Sequence, residues 1–344
     1  MRYVIYGAGG IGGVLGGRLA QHGREVVLIA RGAHLDTLRS SGLVLRDPDG
    51  EVRPPVGVVG SPAEVALQPD DIVLLTMKTQ DTSAALAELV AVAPPGIAVA
   101  CAQNGVENER LALRRFAHVH ALSVVLPATY LEPGVVQTEC APVTGVLEVG
   151  RYPSGSDGVD ERLAADLGVA SFDVSVHASV MRWKHAKLLS NLGNALEAAL
   201  GAGARSSGLY RRAREEALSC YRAAGIDWAS EEEDRERRSS LSPLRPVGGA
   251  SRGGGSSWQS LARATGTIET DWLNGEIVLL GRLHGVPTPV NAMLQRVANG
   301  MARAGARPAS LTAADLEAEL SASEPGRPEP GRPKLSVSEP EGPG

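Results

Sequence analysis

The sequence has few aromatic residues, few cysteines and no excess of positive charge. Phe, Trp and Tyr make up 3% of its 344 residues and hydrophobic residues 43%, so its core must be mainly aliphatic. The formal net charge is −5 and no long basic run occurs, which disfavours a nucleic-acid or anionic-membrane partner. No stretch reaches the roughly 18 uninterrupted apolar residues of a membrane span.

Cysteine occurs only as Cys101, Cys140 and Cys220. The three are widely spaced and form no metal-ligand pattern, so we predict no metal site. A reduced cytoplasmic protein is the simplest interpretation. The apolar N-terminus, MRYVIYGAGGIGGVLGGRLA, resembles a signal peptide, but its glycines fall where a strand-to-helix turn needs them.

Strand-like and helix-like segments alternate through the first half of the chain. Strands are predicted at 2–6, 25–31, 71–78, 97–102, 119–130, 134–139, 144–149 and 172–177, with a hairpin over 42–59. Helices are predicted at 11–22, 81–93, 106–116, 160–168, and then at 181–200, 208–225, 257–284 and 290–303. The alternation predicts an α/β domain with a parallel sheet, and the later segments predict an all-helical domain.

We therefore divide the chain into an α/β domain at 1–180, a helical domain at 181–318 and a disordered tail at 319–344. The tail is rich in Pro, Gly, Ser and Glu and has too few apolar residues to pack. Segment 231–257 is charged and then glycine-rich, which predicts a mobile loop.

The stretch YGAGGIGG contains Gly7-x-Gly9-x-x-Gly12 directly after the first predicted strand. The first glycine permits a tight turn, the second lets the backbone approach a pyrophosphate, and the third allows the helix to pack closely on the sheet. The free N–H groups of the following helix then face the phosphates. The predicted dinucleotide-binding loop comprises Gly7, Ala8, Gly9, Gly10, Ile11 and Gly12.

The end of the second strand indicates which dinucleotide is bound. An NAD site usually has Asp or Glu there, to accept a hydrogen bond from the ribose 2′-hydroxyl. Here the strand ends in Ala30-Arg31, and a guanidinium pairs with a 2′-phosphate. We predict NADPH/NADP+ as the cofactor; otherwise Arg31 is a solvated residue at a strand end.

Reduction of a carbonyl by hydride leaves an alkoxide that needs a proton, so a general acid is expected near the cofactor. Lys187, Asn191 and Asn194 lie at i, i+4 and i+7 of a predicted helix and share one face. That face is either solvated or part of a site. Lys78 ends the predicted strand 71–78 at the carboxyl edge of the sheet, where ligands gather. Asn104 follows the strand 97–102 and either caps the next helix or contacts the nicotinamide, and the two roles are compatible.

A second group of candidates lies in the predicted helix 257–284. Ser257 and Glu269 are twelve residues apart, which places them about 18 Å apart along the axis of one continuous helix. Such a helix could bind two ends of a compound. Alternatively, Ser256 or Ser257 caps the helix and Glu269 is an exposed acid.

Together these motifs resemble the ketopantoate reductase (2-dehydropantoate 2-reductase) family over roughly residues 1–305. The resemblance is carried by GAGGIG (7–12), LIAR (28–31), MK (77–78), QNG (103–105), W-K-x-x-K-L-L-x-N (183–191), SSW-x-x-L (256–261), IE-x-D-x-LNG (268–275) and GVPTPVN (285–291). It implies a Rossmann-type NADP-binding domain and a helical domain of the 6-phosphogluconate dehydrogenase-like kind, with the active site between them.

The resemblance also implies roles for single residues. Lys187 would be the general acid, Asn191 would hold the substrate, Glu269 would bind its hydroxyl group and Ser257 its carboxylate. The family's second asparagine falls at position 195, which is alanine here, so Asn194 is the candidate substrate-binding residue one position earlier.

For the cofactor, the resemblance makes Arg31 a ligand of the NADP phosphate and places Lys78 and Asn104 along the cleft. The implied reaction is the NADPH-dependent reduction of 2-dehydropantoate to pantoate, for pantothenate and coenzyme A synthesis.

Other functions stay open at this point. Reductases of another 2-oxo acid and β-hydroxyacid dehydrogenases with a Lys-x-x-x-Asn helix are enzyme alternatives, and an NADP-binding sensor without catalysis is a third. The expected partner is a small 2-oxo acid, and a homodimer is one option for the assembly.

Overall fold

The computed structural model describes residues 2–322, which form twelve strands and thirteen α-helices. The strands are β1 (Tyr3–Tyr6), β2 (Val26–Ile29), β3 (Val44–Asp47), β4 (Gly50–Val52), β5 (Gly57–Val59), β6 (Ile72–Leu75), β7 (Ala98–Cys101), β8 (His118–Val125), β9 (Ala128–Glu132), β10 (Val135–Thr138), β11 (Gly145–Arg151) and β12 (Phe172–Val176). The helices are α1 (Gly10–Gln21), α2 (Gly32–Ser41), α3 (Thr79–Val90), α4 (Asn108–Leu113), α5 (Gly158–Val169), α6 (Val180–Asn191), α7 (Gly193–Leu200), α8 (Gly208–Ala224), α9 (Glu231–Arg238), α10 (Ser256–Ala262), α11 (Asn274–His284), α12 (Pro289–Arg303) and α13 (Ala313–Ala322).

Eight strands form one sheet in the order β12-β11-β8-β7-β6-β1-β2-β5. The six strands from β8 to β5 are mutually parallel, and β11 runs antiparallel to β8. The strand order reverses at β1, which lies between β2 and β6. In a doubly wound sheet this switch point opens the crevice where ligands bind, so the topology places a site after β1 and β6. The predicted Rossmann-type fold is confirmed.

The central strand is buried on both faces, and its side chains alternate between two cores. Tyr3 and Ile5 pack in the core on the α1 side, whereas Val4 and Tyr6 pack in the core on the α3 side. A strand covered by helices on both faces reads as an uninterrupted apolar run, which explains why YVIY was recognisable.

A second sheet of four strands has the order β4-β3-β10-β9. The antiparallel pair β3 and β4 is the predicted hairpin, but its second arm is shorter than expected because β5 joins the large sheet instead. The predicted strand 119–130 is likewise divided into β8 and β9 by Leu126-Pro127. As a result, β9 leaves the large sheet and forms a wall beside α1.

Helices α6 to α13 form the helical domain. The prediction of one helix over 257–284 is wrong, because the chain leaves the helix after Ala262 and passes through Ala264 and Gly266, both with positive φ. A short 3₁₀ helix (Glu269–Trp272) follows before α11 begins. The Thr265 hydroxyl donates to the Ser260 carbonyl at 3.2 Å and holds this turn.

Two further expectations need correction. Segment 231–257 is not a loop throughout, since α9 begins with a capping box in which Ser230 and Glu233 each accept a hydrogen bond from the other's backbone N–H. The tail predicted from residue 319 overlaps α13, whose Leu316 and Leu320 are buried in the helical core. The rest of that tail lies outside the described residues. Within 2–322 no helix combines the length and apolar character that crossing a membrane requires.

Candidate active site

A cavity of about 810 Å³ lies between the carboxyl edge of the large sheet and helices α6, α7 and α10. Most of the residues predicted for the site line it. They are Gly7, Ala8, Gly9, Gly10, Ile11, Arg31, Lys78, Asn104, Lys187, Asn191, Asn194 and Glu269. Gly12 and Ser257 do not. Residues far apart in the sequence therefore meet in one cleft between the two domains.

The glycine-rich loop has the geometry of a phosphate cradle. Gly7 has φ of +110°, and a Cβ there would lie 2.6 Å from the Met77 nitrogen. A Cβ on Gly12 would lie 2.3 Å from the Gly7 carbonyl oxygen, so only glycine lets α1 approach the sheet this closely. A Cβ on Gly9 would meet nothing within 4 Å. No side chain caps α1, so the N–H groups of its first turn remain available to an anion. The loop fits a dinucleotide pyrophosphate.

The end of β2 carries positive charge opposite an acid. Arg31 is exposed, and its Nη2 lies 3.5 Å from the Oδ1 atom of Asp81 at the start of α3. Both residues line the cleft. The chain therefore presents a cation after β2, and a neighbouring carboxylate partly neutralises it.

Two lysines three positions apart on α6 lie in opposite environments. Lys184 is buried, pairs with the buried carboxylate of Glu109 and donates to the Gln103 carbonyl oxygen at 3.0 Å. Lys187 lines the cleft, where the surrounding walls enclose its ammonium group, and this group makes no hydrogen bond or ion pair with the chain over 2–322. Burial, and then the positive charges of Arg238 and Arg205, lower the pKa of Lys187 to about 7.

The asparagines that follow Lys187 are held by different partners. Asn191 Nδ2 donates to Asn104 Oδ1 at 3.1 Å, which joins the helical domain to the loop after β7. Asn194 is buried in α7, and its Oδ1 accepts from Arg205 Nη2 at 2.7 Å. The other amide group of each side chain, Oδ1 of Asn191 and Nδ2 of Asn194, remains available to a ligand.

The first turn of α10 contacts the sheet edge through Lys78. The Lys78 ammonium donates to Ser256 Oγ at 3.1 Å and to Ser260 Oγ at 2.7 Å, and burial lowers the pKa of this lysine. Ser256 and Ser260, four positions apart, both accept from Lys78, whereas Ser257 is turned about 100° round the helix from Ser256. Ser257 is buried at 1% exposure, so Ser256 is the serine at the cavity wall.

Glu269 is a buried acid at the boundary of the two domains. Its Oε1 accepts from the Thr79 backbone N–H at 3.0 Å and from the Thr79 hydroxyl at 2.9 Å, which caps the first turn of α3. The expectation that Ser257 and Glu269 lie on one helix about 18 Å apart is wrong, because the chain turns back after α10. The alternative of an exposed acid is also wrong, since Glu269 is only 4% exposed.

Four arginines that the sequence did not single out also line the cleft, namely Arg205, Arg238, Arg252 and Arg263. Arg238 and Arg252 belong to the segment predicted as a mobile loop. No local spacing marks these arginines, because they approach one another only after the helices pack. They make the cleft more cationic than its motifs indicate.

A cluster of potential metal ligands lies outside this cleft, at His120, Asp157 and Asp160. His120 Nδ1 lies 2.7 Å from Asp160 Oδ1, and the two aspartates form the capping box of α5. The hydrogen bonds among these groups stabilise the start of α5.

Comparisons with known proteins match most of the chain to one family. The family model described as "Ketopantoate reductase PanE/ApbA" matches residues 3–153, and the model of its C-terminal domain matches 179–302. The chain is 28% identical to a 2-dehydropantoate 2-reductase of Caulobacter vibrioides over 307 residues, which covers 87% of this chain and 98% of that protein.

Two further matches extend this result. The similarity to a 2-dehydropantoate 2-reductase of Pyrococcus horikoshii is 28% identity over 191 residues, 56% of this chain and 61% of that protein's length. The crystal structure of a PanE/ApbA family ketopantoate reductase from Ralstonia eutropha JMP134 superposes with a TM-score of 0.74. It is 28% identical, and the match covers 89% of this chain and 99% of that chain.

Proposed function

Because the chain belongs to the ketopantoate reductase PanE/ApbA family, it is an oxidoreductase that uses a nicotinamide dinucleotide, and we propose that it reduces 2-dehydropantoate to pantoate with NADPH. The observation that carries the proposal is Lys187, whose ammonium group has no partner among residues 2–322 and lies in the same cleft as the glycine-rich loop. The family's named activity and this geometry lead to the same reaction.

We assign the cofactor to residues 1–180 and the substrate mainly to 181–318. The glycine-rich loop would hold the pyrophosphate, and Asn104 would lie beside the nicotinamide. Arg31 supports NADPH over NADH because no carboxylate stands at the end of β2, where an NAD site has one. When bound, the reduced cofactor supplies the hydride that is added to C2 of the oxo acid.

Lys187 is the proposed general acid. An ammonium whose pKa lies near 7 transfers its proton to a nascent alkoxide more readily than an ordinary lysine does. The positive charges of Arg205 and Arg238 favour this loss of the proton. Asn191 is anchored by Asn104, so the acid on the same helix keeps its position relative to the nicotinamide loop.

The remaining polar groups would bind the substrate. Glu269 has one oxygen committed to Thr79, and its other oxygen can accept a hydrogen bond from the substrate hydroxyl. Ser256, with Lys78 beside it, offers a hydroxyl and a cation to a carboxylate. Asn194 offers an amide N–H group. We therefore assign to Ser256 the contact that the sequence suggested for Ser257.

The test is a panel of 2-oxo acids, with and without a hydroxymethyl group, assayed by loss of NADPH absorbance. We expect 2-dehydropantoate to have the highest kcat/KM, Lys187→Ala to abolish turnover and NADPH binding to persist in that variant. A better substrate without the hydroxyl would replace the proposed substrate but keep the reaction type. Full activity of Lys187→Ala would overturn the role of the lysine, and NADPH binding without any turnover would favour a sensor.

A further inference from the structure

Arg263 is a cleft cation that the proposed reaction does not use. It is the C-cap residue of α10, and its Nε donates to the Gln259 carbonyl within that helix at 3.4 Å. Its guanidinium carbon lies 4.9 Å from the centroid of the Tyr130 ring. No carboxylate pairs with it anywhere in 2–322, in contrast to Arg31 with Asp81.

A chain of contacts locates this guanidinium beside the glycine-rich loop. The ring of Tyr130 lies 4.6 Å from the ring of His34. His34 Nε2 donates to the Ala8 carbonyl oxygen at 2.7 Å, and its Nδ1 accepts from the Gly134 N–H at 2.9 Å. Both ring nitrogens are thereby committed, and the imidazole is neutral. Arg263 therefore lines the same cavity as the glycine-rich loop, and two uncharged rings connect it to that loop.

The electrostatic environment of Arg263 favours the binding of an anion. Its positive charge contributes to lowering the pKa of His34 and of Lys78, after the larger effect of burial on each. Burial also lowers the pKa of Arg263 itself, since its charge is poorly solvated. The first residues of α1 line the same cavity, and no side chain caps their N–H groups. A partly buried cation in one cavity with a helix N-terminus is unfavourable without a ligand, and a phosphate bound by both would be favourable.

We propose that Arg263 binds the pyrophosphate of the nicotinamide dinucleotide from the side opposite the glycine-rich loop. The planar guanidinium can donate two hydrogen bonds to phosphate oxygens, while Tyr130 supports its face. The helical domain would in this way contribute to binding the cofactor as well as the substrate. The proposal requires the nicotinamide cofactor of the proposed function but no particular oxo acid.

The experiment measures dissociation constants of NADPH and NADH by quenching of protein fluorescence, without substrate, for Arg263→Met. Since a charge-assisted hydrogen bond is lost, we expect both constants to rise by the same factor, about tenfold or more. Arg263→Lys should recover part of the affinity for both cofactors. Arg282→Met, an exposed arginine on α11 outside the cleft, is the matched control and should change neither.

Three results would overturn the proposal. Weaker binding of NADPH alone would assign Arg263 to the 2′-phosphate. Unchanged affinity for both cofactors would remove Arg263 from the cofactor site, and a raised KM for the oxo acid in a separate kinetic assay would then assign it to the substrate. A loss of affinity accompanied by a lower thermal midpoint in both Arg263 variants, but not in Arg282→Met, would make it a structural residue. Because no substrate is present, failure to reduce 2-dehydropantoate would leave these constants unaffected.

Discussion

The pH dependence of catalysis should follow the ionisation of Lys187. Its pKa is lowered to about 7 by burial and by the charges of Arg238 and Arg205. The acid is competent only when protonated, so kcat/KM for reduction should be constant below this pKa and should fall as pH rises through it. At pH 9 about 1% of such a group is protonated, against more than about 90% of a lysine with the ordinary value near 10.4.

The perturbation that tests this cause is Arg238→Gln. Removing the guanidinium removes a charge that lowers the pKa of Lys187. It also releases Asp234, which Arg238 contacts at 2.7 Å and whose charge raises that pKa. Both changes raise the pKa of Lys187. We expect the falling limb of the pH profile, where kcat/KM decreases, to shift to higher pH by about one unit. About ten times more of the Lys187 side chain is then protonated at pH 9.

The assay is the pH profile of kcat/KM for 2-dehydropantoate at saturating NADPH. Arg238 also lines the cleft, so the height of the profile can change, but the position of the limb reports the ionisation alone. Arg282→Gln, outside the cleft, is the control and should keep the original limb. A limb that does not move in Arg238→Gln, or that lies near the ordinary lysine pKa in the unmodified protein, would refute the reasoning.

Three other predictions concern the loop, the buried pair and the cofactor. Gly12→Ala should lower the free energy of unfolding by about 1–3 kcal/mol through overpacking, whereas Gly9→Ala should keep the thermal midpoint and weaken only NADPH binding; equal midpoints in the two variants would contradict this. Lys184→Met should cost about 3–5 kcal/mol in denaturant unfolding by leaving Glu109 buried and unpaired, and Lys184→Met with Glu109→Leu should recover most of that loss. If the double variant is no more stable than the single one, the ion pair is not the cause. Arg31→Gln should weaken NADPH binding about tenfold and leave NADH binding unchanged in titrations; an equal loss for both would remove Arg31 from the 2′-phosphate.

The fold class was predictable because the local signals were strong. Continuous apolar runs such as residues 3–6 and 72–75 mark strands covered on both faces, and the glycine spacing marks the turn after β1. The helix over 257–284 was wrongly predicted because the apolar period continues across a break. Gly266 and the threonines beside it make that break, and the structure there depends on hydrogen bonds that periodicity does not reveal.

The candidate site was predictable where a motif carried it and not elsewhere. Lys187 and Asn191 are four positions apart, and this helical spacing is visible in the sequence. Which of Ser256 and Ser257 lines the cavity depends on how α10 is rotated about its axis. Neighbouring residues of a helix point about 100° apart, so the sequence alone does not choose between the two serines. Arg263 is recognisable only through Tyr130, which is 133 positions earlier in the chain and contacts it only in the folded state.

The attachment of α6 has a mechanical consequence for the cleft. Lys184 and Asn191 both bind the loop and helix that follow β7, through hydrogen bonds and an ion pair, and Lys187 lies between them on α6. By sequence the proposed proton donor belongs to the helical domain, but because of these contacts we expect it to move with the nucleotide-binding domain. Since a buried ion pair is costly to break, we expect any opening of the cleft to occur on the α10 side. The distance between acid and cofactor would then stay constant while the opposite wall admits and releases the ligands.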